Sequence, residues 1–549
     1  MLAASALLLA SCSSDEPAVN NNQGGEKGYM TFSINLPTSN GTRTAFEDGV
    51  PAEYDVYNGK VLVWQKVGDD ESNATFVSSS DLKNMTWTAN GSQDITTSSK
   101  AKAELTDIKI SGAARGEYKA FVVLNFGTGF TEPTTGEKFG DWLKTSGAFD
   151  NMEPTLGGKT YLTMTSAARY DAAATDKVRW LEDIDNDAIK ATEAALTKDA
   201  FTAFVQRGVA KVEVAYDNTN PHYALANDYT GYKVQVLGWE LDVTNTKTFP
   251  AQYTKGIDIV AGTPVSNFWN VTRFYENGTG LFNRVYWAVD PNYDGTGYIT
   301  GGVVNAGEFG MIPVDANTNV PVIANKATGA YDYCLENTFN PANMKKDQTT
   351  RVVIKAQIVD DTDNVLNKLW RLNGGAFQND ADFNALVLAK AQEVEAGVSA
   401  VTFTDKAKTD GYSALKDAVQ LTGASASFDY DALARKLGLK DATTDKGIGY
   451  YKDGVCYYVV RLKHFGDALT WNNGDPTYGD DQATQFKYLG RYGVVRNNVY
   501  KVNVDAILAP GEPVIPTPTP DPDDDSHYFI QASINVLSWA VRNNNVSLE

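Results

Sequence analysis

The stretch Met30-Thr31-Phe32-Ser33-Ile34-Asn35-Leu36, stopped by Pro37, alternates apolar and polar residues at every step. A side-chain period of two is that of a β-strand with one face buried, and proline cannot continue the ladder. Similar β-rich runs follow at 61–64, 118–124 and 161–164, separated by Gly, Asn and Thr loops. Between 188 and 205 the pattern changes. Ala188-Ile189, Ala194-Ala195-Leu196 and Phe201, Phe204, Val205 are spaced for one helix face behind an Asp-rich start, which predicts a helical interlude. After Arg207-Gly208 the period returns to two over 209–214, placing a domain boundary near 205. Further strands are expected at 233–237, 352–356, 457–460 and 499–504, and helical insertions around 381–395, 412–420 and 428–437. No repeat of fixed period is visible, which argues against solenoids and propellers.

At 549 residues the chain is too long for one compact domain, and 42% hydrophobic residues supply ample core. Its 48 basic and 68 acidic residues give a net charge of −20, which repels phosphate backbones and excludes nucleic acid as a partner. The three histidines, His222, His464 and His527, are far apart, leaving little material for a metal site or a triad. Gly157-Gly158-Lys159-Thr160 ends like a phosphate loop, but Glu153 stands where its first Gly belongs. Asp290-Pro291-Asn292-Tyr293-Asp294-Gly295 matches half a calcium loop, yet Gly301 occupies the twelfth position. Both read as turns. Asp183–Asp187 reads as an acidic loop starting a helix, and an exposed Tyr293 would be a glycan-stacking platform. No cofactor, metal or catalytic residue is nominated, and the chain is not read as an enzyme.

The two ends carry the strongest signals. Residues 1–11, MLAASALLLAS, have the length of a signal-peptide apolar core, although without a basic leader. Leu9-Ala10-Ser11-Cys12 resembles a lipobox, making Cys12 the lipidated residue and 12–27 a flexible tether. Beyond residue 12 no apolar stretch is long enough to span a bilayer. Cys334 and Cys456 pair in an oxidising compartment or stay buried as thiols, and the sequence does not choose. At the other end, 510–526 reads PGEPVIPTPTPDPDDDS, an extended spacer reaching on the order of 50 Å. Beyond it Ile530, Ala532, Ile534 and Val536 alternate with polar residues, then Leu537, Trp539 and Val541 take the other parity, as a bulge at 536–537 would allow.

Such an apolar strand folds back on its own domain or completes another molecule's sheet. The spacer is longer than a hairpin needs, and Met30, Phe32, Ile34 and Leu36 offer a matching stripe. That first strand precedes Gly41-Thr42-Arg43-Thr44, and Arg43 is the first arginine in the chain. A cut between Arg43 and Thr44 frees 12–43 and opens a groove. Four buried aliphatic or aromatic side chains contribute roughly 6–12 kcal/mol gross, so the cut acts as a switch between an intramolecular strand and an incoming one.

These features together resemble the type V fimbrial subunits of Bacteroidales, in particular the stalk subunit of the short, Mfa-type fimbriae. The resemblance rests on the lipobox at Cys12, the first strand followed by Arg43, YKAFVVLN at 118–125, VQRGVAKVEV at 205–214, VRNNVY at 495–500 before the Pro/Asp linker, and INVLSW at 534–539. It implies two tandem transthyretin-like antiparallel β-sandwiches with a few helical insertions. The segments are then a signal peptide at 1–11, tether 12–27, first strand and propeptide end 28–43, N-terminal domain 44–205, C-terminal domain 206–509, linker 510–526 and donor strand 527–549. It further implies an outer-membrane lipoprotein precursor, processing by an arginine-specific protease, and insertion of the C-terminal strand of one subunit into the groove of the next. The partners are other copies of the chain in a head-to-tail cell-surface filament, with anchor and tip subunits; such a contact does not close on itself. The alternatives are a monomeric surface lipoprotein or a tip adhesin that binds glycan or host protein. A secreted carbohydrate-active enzyme fits the composition but has no nominated catalytic residues.

Overall fold

The computed structural model describes residues 26–37, 46–48, 50, 53–92, 95–109, 116–149, 151–217, 222–257, 259–260, 263–264, 274–276, 282–293, 299–300, 303–304, 307–316, 320–373, 375–409, 411–443, 447–465, 488–523 and 530–540. The alternating stretch at 30–36 forms β1 (Glu26–Pro37), followed by β2 (Phe46–Asp48), β3 (Gly59–Gln65), β4 (Thr75–Asp81), β5 (Lys83–Ser92), β6 (Ile95–Ile108), β7 (Tyr118–Leu124), β8 (Met164–Ser166) and β9 (Asp199–Arg207). All but β2 join one sheet in the order β4-β3-β7-β8-β9-β1-β6-β5, with Glu182–Asp183 added beside β7. That sheet folds over a single core, where Met30, Phe32, Ile34 and Leu36 meet Val61 and Val63 of β3 and Ala120, Val122 and Leu124 of β7.

From β9 the chain enters β10 (Val209–Ala215) across the single residue Gly208. A Cβ there would lie 2.7 Å from the Met152 sulfur, so the crossing is tightly packed. The strands β11 (Tyr232–Asp242), β12 (Tyr331–Leu335), β13 (Arg351–Asp360), β14 (Val455–Arg461), β15 (Asn498–Ile507) and β16 (Ile530–Ala540) complete the second half. One sheet runs β2-β16-β15-β10-β12, and the other runs from His222–Ala224 through β11 and β13 to β14. Between them lie Val212, Val214, Trp239, Ile354, Ile358, Tyr500 and Val502. The protein is thus mostly β, and each half is a β-sandwich. A further cluster joins the halves, bringing Trp64, Phe121, Trp142 and Trp180 against Phe249, Trp287, Phe465 and Val499.

The expected helical insertions are present as Asp380–Val394, Leu415–Ala418 and Tyr430–Lys436. They belong to one unit inserted between β13 and β14, built with the short sheet of Leu369–Leu372 and Ile448–Tyr451 and packed on Trp370, Phe383, Val387, Leu415 and Leu433. The Asn379 side chain accepts from Asp382 N at 2.9 Å and starts the long helix.

Several expectations are corrected. The helical interlude consists of two short 3₁₀ turns, Asn186–Ala188 and Glu193–Ala195, and then the strand β9. Phe201, Ala203 and Val205 face the N-terminal core while Phe204 packs on Phe282. With both faces covered, the alternation disappears and apolar residues fall at helix-like intervals. Of 161–164 only Met164 is in a strand. The strand of the N-terminal sheet ends at Arg207 and that of the C-terminal sheet begins at Val209, so the crossing at Gly208 lies close to the boundary expected near 205. At Gly157-Gly158 the expected turn is present: both residues are at positive φ and link Thr155–Leu156 to Lys159–Thr160 in a two-residue hairpin.

The spacer is also not held off the body. Over 509–523 it lies along the C-terminal sandwich as a strap. Glu512 and Tyr457 exchange backbone hydrogen bonds of 2.8 and 2.9 Å, and Ile515 packs beside Ile312 and Val353. The Pro516 carbonyl accepts from Arg351 Nη2 at 2.8 Å. Asp523 is 1% exposed, accepts from Thr349 Oγ1 and lies 3.2 Å from Arg461 Nε. Proline removes donors but leaves carbonyls free, so the extended segment can still accept along its length.

Candidate functional site

The site is a pair of strand slots. In the N-terminal sandwich β1 lies inside the sheet, antiparallel to β6 from Tyr29↔Glu104 to Leu36↔Thr97 and parallel to β9 at Ser33↔Thr202, Ile34↔Ala203 and Asn35↔Phe204. Met30, Phe32 and Ile34 are wholly buried and Leu36 nearly so, and the Phe32 ring stacks on Phe201. On the opposite face Ser33 Oγ donates to Asp199 Oδ2 at 2.8 Å. Tyr29 exchanges backbone hydrogen bonds of 2.7 and 2.9 Å with Lys190. The four residues expected to fill the groove therefore form one continuous buried stripe.

The slot of β16 has the same polarity. It runs antiparallel to β15 from Ile507↔Ile530 to Asn498↔Ser538 and parallel to β2 at Phe46↔Ser538, Glu47↔Trp539 and Asp48↔Ala540. Ala532 and Ile534 pack, partly buried, on the core that includes Tyr500, Val502 and Val504. The pairing is continuous through Val536 and Leu537, and the irregularity falls between Val504 and Ala506 on the partner strand. The bulge expected at 536–537 is therefore absent; the shift on β15 lies opposite Gln531 and Ala532, and Val536 and Leu537 keep the alternating faces of a regular strand. Ile530, Val536, Leu537 and Trp539 are placed in β16 by backbone; Cys12, Arg43, Thr44 and Val541 lie outside the described residues.

The pairing of β15 with β16 lies at the heart of 449–545, and that stretch decides the comparison. It matches a fimbrial family. The model is described as the major fimbrial subunit protein type IV, fimbrillin, C-terminal. No curated protein matches the chain. Among solved structures it is similar to a candidate cell adhesion protein of Bacteroides eggerthii, at 12% identity over 95% of this chain and 99% of that one, with a TM-score of 0.34. A candidate cell adhesion protein of Parabacteroides distasonis gives 13%, 93%, 99% and 0.35. A fimbrial assembly protein of the same species gives 11% over 62% of this chain and 98% of that one, with a TM-score of 0.21. Scores this low carry no argument about function. The family match supports a fimbrial subunit, and no helix among the described residues is long and apolar enough to cross a membrane.

Around the two slots lies a buried polar network that the sequence did not flag. Glu53, 1% exposed, follows β2 and accepts from Lys211 Nζ at 2.9 Å and Tyr333 OH at 2.8 Å. Arg207 Nε donates to the Glu53 carbonyl at 2.8 Å and its Nη1 to Asn497 Oδ1 at 3.3 Å. Burial pulls the Arg207 guanidinium down to about 10. Arg284 Nη2 donates to Asn497 O at 2.6 Å, and Arg496 Nη2 lies 3.2 Å from Glu336 Oε2. The 205–214 and 495–500 strings are therefore the seam between the halves. Asn497 sits at φ 57°, a conformation that asparagine tolerates better than most residues.

The remaining sequence candidates resolve as structure. Asp290 is buried, accepts from Asn245 Nδ2 at 3.0 Å and Thr338 N at 2.7 Å, and burial raises its carboxyl well above the usual range. Tyr293 is 2% exposed and so is not a glycan platform. Cys334 and Cys456 are free, buried thiols, and burial pushes Cys456 up to about 11. Among the described residues no group of His, Cys, Asp and Glu is arranged to hold a metal.

Proposed function

We propose that the chain is the stalk subunit of a cell-surface fimbria, exported as a lipoprotein precursor through Cys12, cut between Arg43 and Thr44, and polymerised by strand exchange. One observation carries the reading: β1 and β16 occupy slots of the same kind, each between one antiparallel and one parallel neighbour. Cutting after Arg43 detaches β1 from the body. Its departure leaves β6 and β9 with unpaired backbone on facing edges and uncovers Val61, Val63 and Val122. An incoming β16 from a neighbouring copy restores both ladders with Ile530, Ala532, Ile534 and Val536 taking the places of Met30, Phe32, Ile34 and Leu36. Leu537, Trp539 and Val541 extend the contact. The vacated slot of the donor then lies next to the following subunit, and the contact repeats head to tail. Partners are further copies, anchor and tip subunits, and an arginine-specific protease.

The test treats purified precursor with an arginine-specific protease and reads an unheated gel beside amino-terminal sequencing. The expected result is a new terminus at Thr44 and a ladder of oligomers that collapses on boiling, both abolished by Arg43→Ala. A product starting at Thr44 that stays monomeric overturns polymerisation.

A second reading, a self-contained surface lipoprotein or tip adhesin, is favoured by the pairing of β16 with its own β15. It predicts that the cut chain remains a monomer and that removing 527–549 destabilises it.

A further inference from the structure

The terminal strand is not at the edge of its sheet. In the order β2-β16-β15 it is enclosed, and the three pairs made by β2 fall at 538–540, the end of β16 nearest the chain terminus. A strand leaves a sheet most readily by peeling from one end, because there each broken pair frees backbone without bending the rest. β2 lies across that end.

β2 is itself held from both sides. Downstream, five residues beyond Asp48, the Glu53 carboxylate is buried against Lys211 Nζ and Tyr333 OH, and Val50 N donates to Glu53 Oε2 at 2.8 Å. Upstream, residues 38–45 are the covalent connection to Pro37, the last residue of β1, whose apolar stripe is among the most deeply buried in the molecule. A segment of three paired residues has little stability of its own. Between two fixed anchors it stays in place because its ends cannot diffuse away.

We propose that β2 is a latch on the terminal strand, and that the cut after Arg43 releases it. The inference rests on the reading of Arg43 as the processing site. The cut leaves β2 as a frayed amino-terminal stub held only at Glu53, so β16 loses its outer partner at the end from which it peels. One peptide-bond hydrolysis, with water as co-reactant, then does two things in one subunit: it frees β1 from the acceptor slot and it unlocks the donor strand. An uncut precursor can neither accept nor donate, which keeps subunits inert in transit.

The test is amide hydrogen exchange on full-length precursor, at a concentration too low for assembly, before and after cutting with an arginine-specific protease. Two uncut variants accompany it, Glu47→Pro and the double change Phe46→Pro with Asp48→Pro, which between them remove the amide donors of both parities of β2. The latch predicts that exchange over 530–540 rises at least about tenfold on cutting and in one or both uncut variants, while 351–359 keep their protection. Unchanged protection of 530–540 after cutting overturns it. So does unchanged protection in both variants. Should a variant also lose protection at 351–359, the wild-type comparison before and after the cut decides alone. Assembly at high concentration is read separately. A ladder formed without faster exchange at 530–540 in the dilute cut chain sinks the latch and leaves polymerisation standing; faster exchange without a ladder does the reverse.

Discussion

Phe32 lies flat on Phe201, with ring centroids 4.4 Å apart and planes inclined by 14°. The contact joins the first strand to its parallel neighbour inside the N-terminal core, so β1 is keyed into the sheet by side-chain fit as well as by its ladder. Phe32→Ala should lower the stability of the intact chain by about 3–5 kcal/mol, read as a shift in denaturant midpoint. If the chain is cut after Arg43 as proposed and the released segment removed, variant and wild type should be indistinguishable, because the altered residue leaves with that segment.

The Glu53 carboxylate predicts a strong asymmetry between single and double substitution. Glu53→Gln takes the countercharge from an ammonium that is 4% exposed, and should cost about 3–5 kcal/mol. Adding Lys211→Met removes the ammonium that faced this carboxylate and should recover much of that cost. Equal losses in the single and double variants, measured by urea melts, would show that Lys211 contributes through packing alone.

Glu182 gives the protein a pH dependence. Its side chain is 2.5 Å from Arg169, but burial, the larger influence, pushes its carboxyl up to about 7 from the ordinary 4.5. Between those values the folded protein holds a proton that the unfolded chain has released, so this group's contribution is full below pH 4.5 and is lost as pH rises through 7. The expected slope is about −1.4 kcal/mol per pH unit inside the window. Glu182→Gln should flatten that component of the stability profile.

The strap is anchored at Asp523, with Thr349 and Arg461 as partners. Asp523→Ala removes charge-assisted contacts of about 1.5–3 kcal/mol. Limited proteolysis within 509–523 should then accelerate roughly tenfold or more, with β13 and β14 still protected. Unchanged cleavage would mean that the Tyr457 and Glu512 ladder holds the segment by itself.

Much of this architecture is legible in the chain because water dictates it. β1 alternates since only one of its faces carries the apolar stripe, and the helix at 380–394 coincides within a residue with the insertion expected at 381–395, its buried side being Phe383, Val387 and Ala391. β9 is misread for the opposite reason: it is covered on both sides, so nothing in its order separates strand from helix. The strap reads as free because proline and aspartate describe a segment unable to build a core, not one docked onto another's. The Glu53–Lys211 pair joins positions far apart in the chain, with no spacing rule to link them. Polarity of the two slots is likewise a property of topology, which single-strand patterns do not encode.

The strap also settles the fate of an exposed rim. β14 is the last strand of its sheet, and an uncovered border of that kind offers rows of amide and carbonyl groups to any passing chain. Gly511 lies so close that a Cβ would sit 2.4 Å from the Tyr457 carbonyl oxygen, which leaves no room for a foreign backbone to enter. The docked strap thereby closes this one border against edge-to-edge pairing with another chain, a protection that neither the length nor the charge of the spacer would supply if it hung free.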